Sequence, residues 1–308
     1  MKILVTGGAG FIGSHIVDAY IRGGHDVVIV DDLSTGQRKN INPKAEFFQL
    51  GIQDDAVNAI FAKHRVDIVN HHAAQMDVRR SVTDPKFDAR TNVLGTLNLL
   101  ENSIKYNIKK FIFASTGGAI YGEQEIFPAA ENHPTWPVSP YGITKLTCEK
   151  YLFYYGVVHK LPSVILRYAN VYGPRQNPHG EAGVVAIFTK LLLAGDKPVI
   201  NGDGKQTRDY VYIDDLVRIN LLALEYEKSD TFNVGTGIET DVNTLFRALR
   251  EYSGVDVEEK HGPAQAGEQL RSCLSAEKAE KILNWKPEVT LNQGLRNTVE
   301  YFKSQNNP

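Results

Sequence analysis

The sequence predicts an α/β fold built on a doubly wound parallel sheet, with a smaller second domain following it. In the first two thirds of the chain, short β-branched runs alternate with longer amphipathic stretches, which is the pattern of βαβ units. The β-branched runs are continuously apolar, as expected for strands covered by helices on both faces. After residue 170 the alternation stops, and loop-like stretches such as NVYGPRQNPHGEAG appear.

Seven strands are expected in the sheet. Six of them are short apolar runs at residues 2–6, 26–31, 46–50, 66–70, 110–115 and 163–167. The run TFNVGTG at 231–237 is expected to return to the same sheet as the seventh. Of the connecting helices, NVLGTLNLLENSIKY places its apolar residues on one helical face. Another helix starts at Ser139, which can cap it, because Pro140 suits the first helical position.

The change of pattern after residue 170 sets the predicted domains. Residues 1–170 form the main domain, with a return segment at about 209–240. Residues 171–208 and 241–308 form the smaller, discontinuous C-terminal domain. Within the main domain, the helix after Ser139 carries YLFYY, with four aromatics in five residues. This density predicts that the helix packs on the sheet and against a second subunit in a homodimer; a purely intramolecular core is the alternative.

Composition excludes several classes of function. The 308 residues include 34 Lys and Arg and 36 Asp and Glu, for a net charge of −2. This balance gives no electrostatic footprint for nucleic acid or a membrane surface. No apolar segment approaches ~18 residues, and the N-terminal apolar run is too short for a signal peptide. Cys148 and Cys273 match no metal or redox spacing. These features predict a soluble, reduced, cytoplasmic protein.

A glycine-rich segment opens the chain and has the context of a dinucleotide site. In VTGGAGFIGSH, the glycines at 7 or 8, 10 and 13 follow a strand and open an amphipathic helix. Such a turn brings backbone amides and the helix N-terminus to a pyrophosphate, as in Rossmann-type domains. Asp31 ends the next strand, where a carboxylate accepts both ribose hydroxyls. NAD is therefore favoured over NADP, which Arg38 and Lys39 keep as an alternative.

Tyr141 and Lys145 stand four residues apart, so their side chains share one helix face. A free tyrosine titrates near pH ~10. An ammonium one turn away, together with the positive nicotinamide ring of NAD, is expected to favour the phenolate. Tyrosine then becomes a general base for a sugar or alcohol hydroxyl. Tyr106 and Lys110 repeat the spacing, but they lie where a loop enters a strand.

No metal site is predicted. His71 and His72 are adjacent on a strand, so they point to opposite faces and are expected to be structural. The Asp pair at 31–32 is explained by ribose, and the pair at 214–215 suits a helix N-terminus.

Nine blocks along nearly the whole chain carry a family resemblance. They are TGGAGFIGSH, HHAAQMDVRRSVTDP, TNVLGT, STGGAIYGE, SPYGITK, LRYANVYGPRQ, DGKQTRDYVYIDD, FNVGTG and LNWKP. In this order they resemble the extended short-chain dehydrogenase/reductases, and among these the nucleotide-sugar 4-epimerases typified by UDP-glucose 4-epimerase. The resemblance implies an NAD-dependent isomerase of galactose metabolism, whose partner is a UDP-sugar substrate.

The resemblance also implies roles for individual residues. Tyr141 would take the proton of the sugar 4-hydroxyl while C4 gives hydride to NAD, and a 4-keto sugar would turn over in the pocket. Thr116 would relay the proton, and Lys145 would hold the nicotinamide ribose. Substrate contacts are expected from Thr116, Tyr141, Asn170, Arg208, Arg271 and Ser272. Cofactor contacts are expected from Gly7, Gly10, Phe11, Ile12, Gly13, Asp31, Asp32, Gly51, Ile52, Ala73, Ala74, Asn92, Ser115, Tyr141, Lys145 and Tyr168.

The chain departs from the family pattern in three places. An extra glycine in STGGAIYG leaves open whether Thr116 or Ser115 faces the sugar. Gln265 and Glu268 replace the usual Arg and Asp of an R-x-G-D stretch, so Arg271 is a candidate for the diphosphate grip. The acid that many relatives carry near the adenine falls on Gly51. Separately, Ser272 stands where some relatives have a bulky tyrosine. The space predicts that UDP-GlcNAc and UDP-GalNAc are accepted, unless Ser272 merely packs.

Three alternatives remain at this level. A nucleotide-sugar 4,6-dehydratase needs an acid pair directly after the threonine, where this chain has Gly117 and Gly118. A UDP-uronic acid epimerase or decarboxylase depends on contacts to a C6 carboxylate, which the sequence does not identify. A non-catalytic NAD-binding sensor would not be expected to keep Thr116, Tyr141 and Lys145 together.

Overall fold

The computed structural model describes residues 1–178, 183–264 and 269–306, and the side chains of these except that of Asn306. The strands are β1 (Lys2–Thr6), β2 (Asp26–Val30), β3 (Glu46–Phe48), β4 (Ile68–His71), β5 (Lys110–Thr116), β6 (Ser163–Tyr168), β7 (Asn170–Tyr172), β8 (Val199–Asn201), β9 (Thr207–Tyr212), β10 (Asp230–Val234), β11 (Glu239–Asp241), β12 (Lys260–Gly262) and β13 (Arg271–Ser272).

The helices are α1 (Phe11–Arg22), α2 (Val57–His64), α3 (Val78–Thr83), α4 (Pro85–Ala89), α5 (Gly95–Lys105), α6 (Gly117–Ile120), α7 (Pro140–His159), α8 (Val184–Leu193), α9 (Ile213–Glu225), α10 (Val242–Ser253), α11 (Glu277–Leu283) and α12 (Leu291–Asn306). A short 3₁₀ turn lies at Arg38–Asn40, and a π-helical segment at Arg90–Leu94 joins α4 to α5.

The main sheet has seven parallel strands in the order β10-β6-β5-β4-β1-β2-β3. The chain leaves β1 for one edge and later crosses to the other, which is the doubly wound arrangement predicted from the sequence. All seven predicted strands exist; β1 has the predicted bounds, and the other six differ by one to three residues at one or both ends. Strand β10 pairs with β6, which confirms that the run after residue 230 returns to this sheet.

Helices cover both faces of this sheet. Since successive residues of a strand point to opposite sides, each strand contributes side chains to both of the resulting cores. Ile3 and Val5 of β1 join one core with α1 and α9, whereas Leu4 joins the other with α2, α5 and α7. Both cores are continuous and apolar, which explains why the strand sequences show no polar alternation. None of the helices in the described ranges is long and apolar enough to cross a bilayer.

A smaller sheet is centred on β9. This strand pairs with β11 and β13 along its first half and with β7 along its second half. Strands β8 and β12 form a separate pair, and α8, α10 and α12 pack on one another, with α10 against β11 and α12 against β9. Residues 209–212, which the sequence analysis assigned to the return segment, therefore lie in β9 of the smaller sheet. The division into domains at residues 170, 208 and 240 stays a prediction.

Candidate active site

The glycine-rich loop after β1 is closed so tightly that side chains would not fit. Gly7 has φ +71°, and a Cβ there would lie 2.6 Å from the backbone nitrogen of Ala73. A Cβ on Gly13 would lie 2.2 Å from the Gly7 carbonyl oxygen. Helix α1 then starts at Phe11 behind Gly10, which offers no side-chain cap, and its first turn has no acidic residue. The first amides of α1 are thus available to an anion.

Asp31 follows β2 beside this loop. Its carboxylate accepts hydrogen bonds from the backbone amides of Ala9 at 3.0 Å and Leu33 at 2.8 Å. Burial raises the pKa of the Asp31 carboxyl, and these amide hydrogen bonds act in the opposite direction. The Asp32 carboxylate accepts a hydrogen bond from the backbone amide of Ser34 at 2.8 Å. The glycine turn and the N-terminus of α1 therefore fit the pyrophosphate of NAD, and the Asp31 carboxylate beside them fits its ribose.

The other predicted cofactor residues line the carboxyl ends of neighbouring strands. Ala73 and Ala74 follow β4, and the Ala73 amide donates to Thr6 at 3.2 Å. Gly51 and Ile52 follow β3, and both are buried. The Gly51 amide donates to the Asp54 carboxylate at 2.7 Å, so this loop has a carboxylate three residues after the expected position.

Tyr141, Lys145 and Thr116 meet where β5 ends against the first turns of α7. The side chain of Thr116 hydrogen-bonds the Tyr141 hydroxyl. Lys145 donates to the Ala114 carbonyl at 2.9 Å, and its ammonium lies 4.8 Å from the centre of the Phe113 ring. Ser139 caps the helix by accepting from the Gly142 amide at 3.2 Å, as the sequence predicted.

Burial is the largest influence on the pKa values of Tyr141 and Lys145. The pKa of Tyr141 is raised by burial and by the nearby Asp88 carboxylate, whereas the hydrogen bond from Thr116 lowers it. The pKa of Lys145 falls to about 8 because of burial, against which Cys148, Asp88 and Glu149 act. In the protein alone the tyrosine pKa therefore moves opposite to the direction expected from sequence, because removal from water disfavours the phenolate.

Ser115 is bonded to a different residue of α7 than Thr116 is. Its hydroxyl donates to Glu149 at 2.5 Å, and Glu149 forms a buried, two-pronged ion pair with Arg167 at 3.1 and 2.6 Å. Arg167 also donates to the Tyr121 hydroxyl at 2.9 Å. Sequence reasoning did not select Glu149 or Arg167. The available signals were a glutamate one turn after Lys145 on the same helix face and an arginine inside an apolar strand.

Asn92 and Tyr168 are buried and bound to protein partners. Asn92 exchanges hydrogen bonds with the backbone of Gln75, accepting at 2.8 Å and donating at 2.9 Å. The Tyr168 hydroxyl accepts from Asn220 at 2.9 Å, and its ring stacks on His72. Their contacts to a cofactor stay predictions.

The predicted substrate residues gather in the smaller sheet. Asn170 begins β7, and its side-chain oxygen lies on the same side of Gly118 as the Thr116 hydroxyl. Ser272 of β13 is buried directly beside Arg208 of β9 in the strand register. Arg208 donates to the Thr207 carbonyl at 2.8 Å.

Arg271 is already held by the protein. It pairs with Glu239 at 2.5 Å and lies 3.8 Å from the centre of the Phe127 ring. Gln265 and Glu268, the altered R-x-G-D positions, lie outside the described residues.

Several features set aside in the sequence analysis have structural partners. His71 contacts the hydroxyls of Thr6 at 2.7 Å and Thr96 at 3.0 Å. Tyr106 lies beyond the end of α5, and Lys110 begins β5, so this second tyrosine–lysine match does not share a helix face. Within residues 1–178, 183–264 and 269–306, no cluster of His, Cys, Asp and Glu could hold a metal ion.

The fold and the site define a dinucleotide-binding α/β enzyme with a tyrosine and a lysine one helical turn apart. A family model described as the NAD dependent epimerase/dehydratase family matches residues 3–235. The UDP-glucose 4-epimerase of Mycolicibacterium smegmatis is 42% identical over 311 residues, covering 99% of each chain. The chain belongs to the NAD dependent epimerase/dehydratase family.

Solved structures agree with this assignment. A crystal structure of a UDP-glucose 4-epimerase with UDP-glucose from Thermotoga maritima has a TM-score of 0.97 and 52% identity, covering 99% of both chains. That of the UDP-glucose 4-epimerase of Thermus thermophilus, in complex with NAD, has a TM-score of 0.94 and 44% identity, covering 98% of this chain and 99% of its own.

Proposed function

We propose that this protein is an NAD-dependent 4-epimerase of nucleotide sugars that acts foremost on UDP-glucose and UDP-galactose. The observation that carries the proposal is the hydrogen bond between Thr116 and the Tyr141 hydroxyl, formed one helical turn from Lys145. This arrangement supplies a proton acceptor and a relay at one point. The full-length similarity to UDP-glucose 4-epimerases supports the choice of reaction and substrate.

Tyr141, Thr116 and Lys145 each have a separate role in proton transfer. Tyr141 accepts the proton of the sugar 4-hydroxyl, and Thr116 passes it along the hydrogen bond that joins the two side chains. Lys145, in its ammonium form, binds the nicotinamide ribose and counters the cost of a buried phenolate. The glycine loop and Asp31 would hold NAD, which would supply the hydride acceptor and donor that inversion at C4 needs.

Gly117 and Gly118 favour epimerisation over 4,6-dehydration. Dehydration requires an added acid and base beside the sugar, and these two positions carry none. A side chain at Gly117 would begin 2.3 Å from a methyl group of Leu274, which fills that space. The pocket wall next to Thr116 is therefore apolar, and the chemistry stays at C4.

The smaller sheet is the proposed holder of the nucleotide. Asn170 and Arg208 are positioned for the diphosphate, where a guanidinium makes strong charge-assisted hydrogen bonds. Arg271 is paired with Glu239, so it would have to leave this carboxylate in order to bind the diphosphate. The small Ser272 beside Arg208 supports acceptance of N-acetylhexosamine nucleotides in addition to glucose and galactose.

The decisive experiment uses a panel of UDP-glucose, UDP-galactose, UDP-glucuronic acid and dTDP-glucose. Purified protein is incubated with each, and C4 inversion, loss of water, loss of CO₂ and NADH release are followed separately. We expect inversion of the first two without net NADH. A 4-keto-6-deoxy product would instead identify a dehydratase, and reaction of the uronic sugar alone would identify a uronic acid enzyme.

Variants separate catalysis from cofactor binding. Tyr141→Phe is expected to retain bound NAD and to lose nearly all epimerisation. Tyr106→Phe is the matched control, since Tyr106 has the same spacing to a lysine but bonds Asn58 instead. Unchanged turnover by Tyr141→Phe would overturn the assignment, and an inactive wild type with bound NAD would favour the sensor alternative.

We also infer a cytoplasmic homodimer. Helix α7 leaves Ile143, Phe153, Tyr154 and Val157 between 48% and 70% exposed, although it packs on the sheet through its other face. Light scattering should give twice the monomer mass for the wild type. Phe153→Glu with Val157→Glu should give a monomer, and Ile238→Glu, an exposed apolar residue elsewhere, should stay dimeric.

A further inference from the structure

Asp88 of α4 is a wholly buried carboxylate that the proposed reaction does not use. Its exposed fraction is 0%, and α4 packs against α7, the helix that carries Tyr141 and Lys145. Its described hydrogen-bond donors are all neutral. They are the Thr144 hydroxyl at 2.7 Å, the Gln75 amide at 2.9 Å and the Asn92 amide at 3.2 Å. All three bonds are accepted by Asp88, as an ionised carboxylate requires.

These partners connect the two halves of the candidate site. Thr144 lies between Tyr141 and Lys145 on α7, and Gln75 lies in the loop after Ala73 and Ala74, where the cofactor is expected. Asn92 locks the same loop through the Gln75 backbone. One carboxylate thus ties the cofactor loop to the helix of the general base. Such a cluster restricts how far the two can separate.

The charges around Lys145 are unevenly distributed. His71 of β4 and His72, which follows this strand, are electrostatically coupled to Lys145, and burial lowers the pKa of both, so they add no positive charge at neutral pH. From α7 itself, Cys148 and Glu149 face it, and Glu149 is matched by the guanidinium of Arg167. From α4, the negative charge of Asp88 raises the pKa of both Lys145 and Tyr141.

We propose that Asp88 is a positioning residue of the active site, whose unmatched negative charge holds the buried Lys145 in its ammonium form. The inference rests on the proposed function for its importance in catalysis, but the charge relationship itself is a property of this chain alone. Without Asp88, the effect of burial on Lys145 would be opposed by Cys148, a thiol whose own pKa burial raises, and by Glu149, which is paired with Arg167. Lysine would then lose its proton at a lower pH.

A direct test follows the titration of Lys145 rather than turnover. Protein with isotope-labelled lysine side chains is titrated by NMR, and the Lys145 signal is assigned from its loss in Lys145→Arg. The wild-type midpoint is expected near pH 8. In Asp88→Asn, which keeps an oxygen acceptor for Gln75 and Asn92, the midpoint should fall by about one pH unit, the lower end of the range for a neighbouring charge.

Two controls separate charge from structure. Asp84→Asn removes a charge from the exposed N-cap of the same helix and keeps a capping side chain. Thr144→Val removes one hydrogen bond to Asp88 and keeps its charge. Both should leave the Lys145 midpoint unchanged. An unshifted midpoint in Asp88→Asn overturns the proposal. If Asp88→Asn does not fold, the wild-type titration decides: a Lys145 already neutral at pH 7 overturns the proposal equally.

Kinetics add a second readout that a merely structural role would not move. Removal of Asp88 should lower the pKa of both Lys145 and Tyr141, so both limbs of the pH profile of kcat should shift to lower pH. A lower kcat with unshifted limbs would mean that Asp88 only supports packing, and would overturn the proposal. Absence of epimerisation in the wild type would count against the proposed function, while the NMR titration would still test Asp88.

Discussion

Ser115 and Glu149 form a buried hydrogen bond of 2.5 Å that fixes which hydroxyl of β5 can face the substrate. Ser115 is bonded to Glu149, whereas the next residue, Thr116, hydrogen-bonds Tyr141, two turns earlier on the same helix α7. The serine belongs to a buried polar cluster with Glu149 and Arg167, and the threonine is bonded to Tyr141, the proposed general base.

This relationship predicts different outcomes for the two hydroxyls. Thr116→Val should lower kcat by about a hundredfold or more, because it removes the proton relay. Ser115→Ala should leave kcat within a few fold but lower the free energy of unfolding by about 1–3 kcal/mol, because a buried carboxylate loses a donor. Steady-state kinetics and denaturant unfolding of both variants would show which of the two hydroxyls relays the proton. The reverse pattern would assign the relay to Ser115.

The two glycines after Thr116 are expected to differ in tolerance. In Gly117→Ala the new methyl would lie 2.3 Å from the buried Leu274. Overpacking should therefore lower stability by about 1–3 kcal/mol. In Gly118→Ala the nearest atom is 3.7 Å away, an ordinary contact, and thermal stability should be nearly unchanged. Thermal unfolding of the two variants measures this. Equal melting temperatures would show that Leu274 can move aside freely.

The buried lysine predicts a pH dependence of stability. Its pKa is about 8 in the folded protein, against 10.5 for an exposed lysine. The unfolded chain therefore binds more protons between these values, so the contribution of Lys145 to stability rises as pH rises through this window and is lost as pH falls through 8. Denaturant unfolding of the wild type and Lys145→Met should diverge by a few kcal/mol, in favour of the wild type, between pH 8 and about 10. A constant difference would contradict the lowered pKa.

Ser272 is expected to set the size of the C2 substituent that the pocket accepts. Ser272→Tyr should abolish turnover of UDP-GlcNAc while leaving that of UDP-glucose within about tenfold, because the added ring would clash with an N-acetyl group but not with a hydroxyl at C2. Ser272→Ala, the matched control, should retain both activities. Product analysis by chromatography distinguishes them. If the wild type shows no detectable reaction with UDP-GlcNAc, the prediction that the pocket accepts an N-acetyl group at C2 is wrong.

Much of the fold followed from local pattern. Continuous apolar runs located the seven strands of the main sheet, because burial on both faces leaves no room for polar alternation. The glycine turn before α1 and the Ser139–Pro140 start of α7 were also readable, since each depends on neighbours within a few residues. Strand β9 was placed less well. Its partners β7 and β13 lie far along the chain, so its membership of the smaller sheet left no local signal.

For this protein, the sequence by itself determined the parallel α/β sheet, the dinucleotide loop and the Tyr141–Lys145 spacing, because helix periodicity and glycine conformation are local properties. Only the tertiary structure decided which hydroxyl faces Tyr141, since that choice depends on Glu149 and Arg167 from other elements. It also decided the directions of the tyrosine and lysine pKa values and brought Asp88 beside them. Burial and the interactions between charges distant in sequence depend on how the elements pack, so residue spacing along the chain does not predict them.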